Sequence, residues 1–228
     1  MNSYARLTTF RMCDLPRLDV VMRCEPTPYG DHYVPASRRD EVQPCYRMDV
    51  ALCLDCGLVQ LPDVVIPELL YREYIYNTSI SLGLSEHFDR YAAFLAEWTG
   101  AAPSSLVVDI GSNDGTLLRS FKARGFKVLG VDPARDQAKR ANASGVLLEN
   151  AFFTEALAHR LRAEHGPAAI VTANNVFANA DDLQDLAAGI RVMLAADGVF
   201  TFETCYVVDL VRHSVIDNIY TSTCRTTR

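Results

Sequence analysis

The sequence predicts an α/β fold: a parallel, doubly wound sheet with a small cysteine-rich module ahead of it. Two observations point to the sheet. From Ser105 onward, short apolar runs alternate with helical stretches of about 10–15 residues, and the first run closes in a glycine-bearing turn, "DIGSNDGT". A third observation sets the N-terminal part apart. Cys13, Cys24, Cys45, Cys53 and Cys56, five of the seven cysteines, lie in the first quarter of the 228-residue chain.

The elements follow in order. Up to about Leu61 the chain is rich in Cys, Pro, Arg and Asp, so residues 1–65 are expected to form a loop-rich module. Residues 66–100 are expected to connect it to the sheet. There Phe88, Tyr91, Phe94, Leu95 and Trp98 recur at helical spacing, and the pattern stops at Gly100. The sheet domain spans residues 101–220. "LVVDIG" is its first strand, "GTLLRSFKARG" a helix ending at Gly125, and "KVLGVD" the second strand. "PARDQAKRANASG" opens with Pro133 at the first helical position, where a missing N–H costs nothing. "VLLEN" is the third strand, "FTEALAHRLRAEHG" a helix and "AAIVTAN" the fourth strand. "ADDLQDLAAGIRVMLAADG" is an amphipathic helix, and "VFTFETCY" the fifth strand, with Cys205 a plain buried residue on it.

Bulk composition excludes several roles. Hydrophobic residues make up 49% and charged residues 22%, enough apolar surface for a packed core. A net charge of −6 with no basic run disfavours nucleic acid and anionic membrane as partners. The first residues lack a secretory h-region, and no run approaches the ~18 apolar residues of a membrane span. A cytoplasmic location is expected. In that reducing setting clustered cysteines favour a metal over disulfides. Cys53 and Cys56 form a C-x-x-C knuckle followed by Gly57, half of a tetrahedral zinc site.

The turn after the first strand carries the chemistry. Asp109 ends the strand, and Gly111, Asn113 and Gly115 lie in the turn to the helix. Glycines allow positive φ and close ligand approach, and the helix start offers free N–H groups. A ligand should therefore sit outside the carboxyl ends of the strands at the switch point. The spacing is G-x-x-x-G, not the dinucleotide G-x-G-x-x-G. Asp132 ends the second strand and can accept both hydroxyls of a ribose, while Asp109 can help hold an ammonium. That pair suits S-adenosylmethionine, which has a ribose and an amino acid head but no pyrophosphate. Asn174, closing the fourth strand, is a further cofactor-binding candidate.

The motifs "CLDCGLVQL", "YREYIYNTSIS", "DIGSNDGTLL", "VLGVDPA", "ANNVFANADDL", "DGVFTFETCY" and "DNIY" occur in that order. Together they resemble the NDP-deoxysugar C-methyltransferases, from about Cys13 to Tyr220. The resemblance implies a Rossmann-like class I methyltransferase sheet of strand order 3-2-1-4-5-7-6, behind a zinc-ribbon-like module. It implies C-methylation of a 4-keto-6-deoxy sugar nucleotide: a base removes the proton at C3, and the enolate takes the methyl group from S-adenosylmethionine. Such chemistry needs a positioned base and donors aimed at the enolate oxygen. Tyr76, Asn179 and Tyr220 become the substrate-side candidates, with Asn175 in the same loop as Asn179. The position of Asn179 usually carries a His in this family. Asn cannot exchange a proton near neutral pH, which suggests another small acceptor. As bland alternatives, Tyr76 packs under the sheet and Asn179 caps the following helix. His87, near Tyr76 in sequence, is read as a structural histidine or a second site residue.

The same resemblance implies a metal site with one ligand replaced. The family opens with a second C-x-x-C, but here the stretch is "FRMC", with Phe10 in the place of the first cysteine. Cys13, Cys53 and Cys56 remain as zinc ligands. Either Cys24, Cys45 or His32 completes the site, or it is weakened or empty.

After Tyr220 the family continues with His-Glu-His, which supplies the expected base, whereas this chain has Thr221, Ser222 and Thr223. Deleting one base from codons for Tyr-His-Glu-His-Leu-Pro-Tyr-Tyr yields Tyr-Thr-Ser-Thr-Cys-Arg-Thr-Thr, the residues from Tyr220 to Thr227. Residues 221–228 are thus expected to be a frameshifted tail, with the C-terminal domain absent. The sheet would keep five strands, and the fifth would become an exposed apolar edge that promotes self-association. Cofactor binding would survive and family catalysis would not, which leaves a non-catalytic adenosylmethionine-binding or interaction protein as the alternative function.

Overall fold

The computed structural model describes residues 4–28, 30 and 33–215, together with the backbone of Arg225–Thr226. Two compact units emerge: Met1–Tyr71 with Ala178–Asp181 and Thr204–Arg228, and Arg72–Phe177 with Asp182–Glu203.

The first unit is built from short antiparallel strands. β1 (Tyr4–Arg6) pairs with β5 (Asp63–Val65). β2 (Asp19–Met22), β3 (Val50–Leu52) and β4 (Val59–Gln60) form a sheet whose outer side pairs with Arg225–Thr226. A short helix α1 (Pro67–Tyr71) follows. Such short strands bury little, and the module's core is correspondingly small: Phe10, Ala51, Cys53 and Leu58, with Cys13, Leu18 and Cys56 against it. Cys13, Cys53 and Cys56 lie in or against that core, so a metal held by them would contribute to the module's folding.

The second unit is the sheet domain. It opens with α2 (Leu84–Thr99) and continues β6 (Leu106–Ile110), α3 (Thr116–Ala123), β7 (Lys127–Val131), α4 (Arg135–Ala143), β8 (Leu148–Glu149), α5 (Glu155–His165), β9 (Ala168–Asn174), α6 (Leu183–Met193) and β10 (Leu194–Glu203). The strands lie in the order β10-β9-β6-β7-β8, and every pairing is parallel. Numbered within the sheet this is 3-2-1-4-5, the order expected for the first five strands. The chain runs from β6 outward to β8 and then back past β6 to β9 and β10; α3 and α4 pack into one core with α2, while α5 packs against α6. The apolar run of β6 is buried throughout, as a strand covered on both faces must be. One core packs Phe88, Leu95, Leu117, Phe121 and Phe126 around Val107 and Ile170.

Three expectations need correction. Pro133 precedes the N-cap, Ala134, so it is not the first helical residue. The Ala134 amide donates to Asp132 Oδ1 at 2.8 Å, which holds the chain extended for one more residue. The helix expected to reach Gly198 ends at Met193, and Leu194 already pairs with Ala168. The guanidinium of Arg162 takes the carbonyls of Val192 and Leu194, satisfying the helix end early. The fifth strand stops at Glu203, so Cys205 lies beyond it and is half-buried. Along α2, Phe88 and Leu95 enter the core, whereas Phe94 and Trp98 stay exposed and stack on each other.

Candidate functional site

The carboxyl ends of the parallel strands converge on the glycine turn. β6 runs from the sheet centre, and the chain reverses direction between β6 and β9, so a crevice opens there. Asp109 is buried, and its Oδ1 accepts a hydrogen bond from Thr172 Oγ1 at 2.6 Å. Burial pushes its carboxyl up to about 7; Thr172 pulls the other way, while Asp132 and Glu203 push it further up. Asp132 is also buried and raised by that burial, with the amides of Ala134 and Asn113 opposing. Those two amides bond to its two oxygens at 2.8 Å each, and each oxygen keeps a further lone pair.

Gly111 and Gly115 turn the chain at φ +69° and +76°, and Asn113 itself sits at φ +50°. Asn113 is a three-way tie. Its amide donates to Asp132, its Oδ1 accepts from the Thr78 amide at 2.9 Å, and its Nδ2 donates to the Tyr76 carbonyl at 2.9 Å. Asp114, which sequence reasoning passed over as a turn residue, precedes Gly115, the N-cap of α3. It accepts from the amides of Thr116 and Ser79. Burial alone would raise its carboxyl, but these donors and nearby Arg119 hold it below the usual range. Asn174 ends β9, and both its amide atoms are buried with no partner among the described residues. A buried amide left without partners costs about 1–3 kcal/mol, so an external polar group is the physical answer. The charges and the orphaned amide fit a ligand that carries a ribose and an ammonium.

In the first unit Cys13, Cys53 and Cys56 place their sulfurs within 4.8 Å of one another. A zinc ion ~2.3 Å from each thiolate would hold them ~3.8 Å apart, and Cys13 and Cys53 Sγ are 3.7 Å apart. Gly57 at φ +76° closes the knuckle, with its amide on the Cys53 carbonyl. The Cys56 amide points at Cys53 Sγ and lowers that thiol, whereas burial pushes the Cys56 thiol up to about 11. The donor set therefore fits a soft cation. Among the described residues neither Cys24 nor Cys45 joins this cluster, and His32 lies outside them. Phe10 is fully buried in the same core, filling space where the resemblance would put a fourth thiol.

Residues 84–223 match the family described as "Methyltransferase domain". The chain belongs to the methyltransferase family. Residues 11–71 match a second family, described as "Putative zinc binding domain". The methyltransferase is 34% identical over 175 residues to C-methyltransferase NovU of Streptomyces niveus, covering 77% of this chain and 42% of that protein. It thus spans less than half the length of that relative. Among solved structures it is similar to a S-adenosylmethionine-dependent methyltransferase from Clostridium acetobutylicum at 16% identity, TM-score 0.42, covering 52% of this chain and 49% of that one. The CcbJ methyltransferase from Streptomyces caelestis gives 18% identity, TM-score 0.43 and the same coverage of 52% and 49%. Among the described residues of the methyltransferase, no helix is long and apolar enough to cross a membrane.

The substrate-side candidates are placed differently from one another. Tyr76 does not pack under the sheet: its ring is exposed, and its hydroxyl bonds to Ser81 Oγ at 2.8 Å. Asn179 closes a 3₁₀ turn, Phe177–Asn179, and is not the cap of α6. Asp182 takes that role, because its carboxylate reaches the Asp185 amide at 2.9 Å. Asn175 sits at φ +55° with its amide on the Glu203 carbonyl. Tyr220 and residues 221–224 lie outside the described residues. His87 and Glu203 form a contact that the sequence did not announce, with Nε2 and Oε1 2.7 Å apart.

Gly111 makes the turn's steric demand testable. A Cβ there would lie 2.2 Å from Val176 Cγ2, on a backbone that L residues rarely adopt. Gly111→Ala is expected to lower stability by about 1–3 kcal/mol, read as a lower urea midpoint. An unchanged midpoint would contradict this packing.

Proposed function

We propose that this methyltransferase binds S-adenosylmethionine at the carboxyl ends of β6, β7 and β9 and C-methylates a 4-keto-deoxy sugar nucleotide. The observation that carries the reading is the arrangement of Asp109, Asp132 and the orphaned Asn174 amide around the switch point. Asp132 receives the ribose hydroxyls, Asp109 neutralises the ammonium, and Asn174 bonds the amino acid head. Gly111, Asn113 and Gly115 bring the backbone close to the ligand. S-adenosylmethionine supplies an electrophilic methyl group. Tyr76, in the same compact unit as these residues, orients the acceptor. The sugar assignment is supported by the ordered motifs and by the likeness to a C-methyltransferase. Cys13, Cys53 and Cys56 hold zinc and stabilise the N-terminal module. A second reading, transfer to a different small acceptor, is favoured by Asn179, which hydrogen-bonds but does not shuttle protons.

Calorimetric titration with S-adenosylmethionine, followed by a transfer assay on 4-keto-6-deoxy sugar nucleotides, tests the proposal. A folded sample that binds no cofactor would sink it. The pH dependence adds a sharper check. A bound ammonium favours ionised Asp109, which burial keeps protonated up to about 7. Binding must then release a proton, so affinity should rise with pH by up to about tenfold per unit below pH 7. Asp109→Asn should flatten that slope.

A further inference from the structure

We propose that His87, held by Glu203, is the base that removes the acceptor's C–H proton; this rests on the C-methyltransferase reading. Placement comes first. Glu203 ends β10 and lies in register with Asn174 at the end of β9. Its backbone therefore stands one strand, ~4.8 Å, from that of Asn174, which carries the orphaned amide. The methyl donor, with its ribose at Asp132 just past β7 and its ammonium at Asp109 on β6, leaves the β9–β10 side of the crevice for the acceptor. His87 is on that side.

The imidazole is fixed in orientation. Its Nε2 lies 2.7 Å from Glu203 Oε1. A carboxylate only accepts, so Nε2 carries the hydrogen, and in the neutral ring that acts as the base the lone pair is on Nδ1. The ring lies nearly parallel to Tyr91, 8° between planes and 6.1 Å between centroids. The Tyr91 hydroxyl in turn bonds Thr201 on β10. Nδ1 makes no hydrogen bond among the described residues, and the side chain is 42% exposed, so a substrate can reach it. His165, by contrast, closes α5 and so faces the amino end of β9, away from the crevice.

In the step, the C–H bond α to the acceptor carbonyl breaks and its proton goes to Nδ1. The electron pair enters the carbonyl as an enolate, and Glu203 balances the imidazolium. That carbon then bonds to the methyl group, the S–CH₃ bond breaks, and S-adenosylhomocysteine leaves as a neutral thioether. The imidazolium returns its proton to water.

Proton wash-out separates this role from a structural one. The full chain is incubated in D₂O with S-adenosylhomocysteine and a nucleoside-diphospho-4-keto-6-deoxyhexose, and loss of the α-proton signal is followed by NMR. His87→Gln keeps a donor for Glu203 but no base. It should slow wash-out and methyl transfer at least ~100-fold, with cofactor affinity unchanged within twofold. Glu203→Gln should slow both about tenfold, and His159→Gln should leave both unchanged. Should His87→Gln fold poorly, His87→Ala with added imidazole should regain wash-out. Wash-out within threefold of wild type in a cofactor-binding His87→Gln, or no imidazole rescue in a folded His87→Ala, would overturn the assignment. Failure of the C-methyltransferase reading looks different: the wild-type chain would bind cofactor yet neither exchange nor methylate, and the base assignment would fall with it.

Discussion

Asp109→Asn should stabilise the apo protein and weaken cofactor binding at once. The carboxyl of Asp109 titrates near 7 in the fold against an ordinary 3.8. Between those values the folded state binds a proton that the unfolded state has lost. The stability Asp109 contributes is therefore fully present below about 3.8 and is lost as pH rises through about 7. Above pH 7 the cost of ionising it amounts to roughly 4 kcal/mol, at about 1.36 kcal/mol per unit. Asn carries no charge to desolvate and keeps an oxygen for the Thr172 hydroxyl. The variant should gain on the order of 2–4 kcal/mol at pH 8, a rise of roughly 5–10 °C in Tm. At pH 4 the gain should vanish. Cofactor affinity should fall by about 100-fold or more, since the ammonium loses its counter-charge. Equal destabilisation at both pH values would show that the carboxylate is not strained by burial.

Cys53→Ser should empty the metal site and loosen the N-terminal module. Cys53 is fully buried, lies 3.7 Å from Cys13 Sγ and shares a core with Phe10, Ala51 and Leu58. A serine oxygen is a shorter, harder donor than the thiolate the knuckle presents. Zinc should fall from about one per chain to less than about one tenth, and residues 1–71 should become sensitive to limited proteolysis. A chelator should do the same to the wild-type chain. S-adenosylmethionine binding should persist, because its partners lie in the other compact unit. Full zinc retention by Cys53→Ser would rule this cluster out as the ligand set.

The sheet was legible because its strands are short apolar runs bounded by glycine and acidic residues. The ends "VVDIG" and "GVD" set Asp109 and Asp132 at adjacent strand ends, and a period of two or 3.6 assigns everything between them. The α6–β10 junction was not legible. "LAADG" carries good helix formers, and only the reach of Arg162 from α5 ends the helix early. For Tyr76 the sequence left a substrate-side role and packing under the sheet both open, because ring size alone suggests burial; its exposed ring and the Ser81 partner of its hydroxyl remove the second. The His87–Glu203 pair spans 116 residues, and although Glu203 sits in the "DGVFTFETCY" motif, nothing in that motif pairs it with His87. Contacts of that kind depend on strand register, which one sequence does not encode locally.

The tie made by Asn113 and Asp114 has a consequence for amide exchange. Thr78 and Ser79 lie in or beside a 3₁₀ turn, where amides ordinarily trade hydrogen with solvent quickly. Their N–H groups are instead bound to the side chains of Asn113 and Asp114. They should exchange as slowly as amides of the sheet, and Asn113→Ala should accelerate the first of them. A peptide covering residues 72–83 would then report, by its deuterium uptake, whether the glycine turn 35 residues downstream is intact.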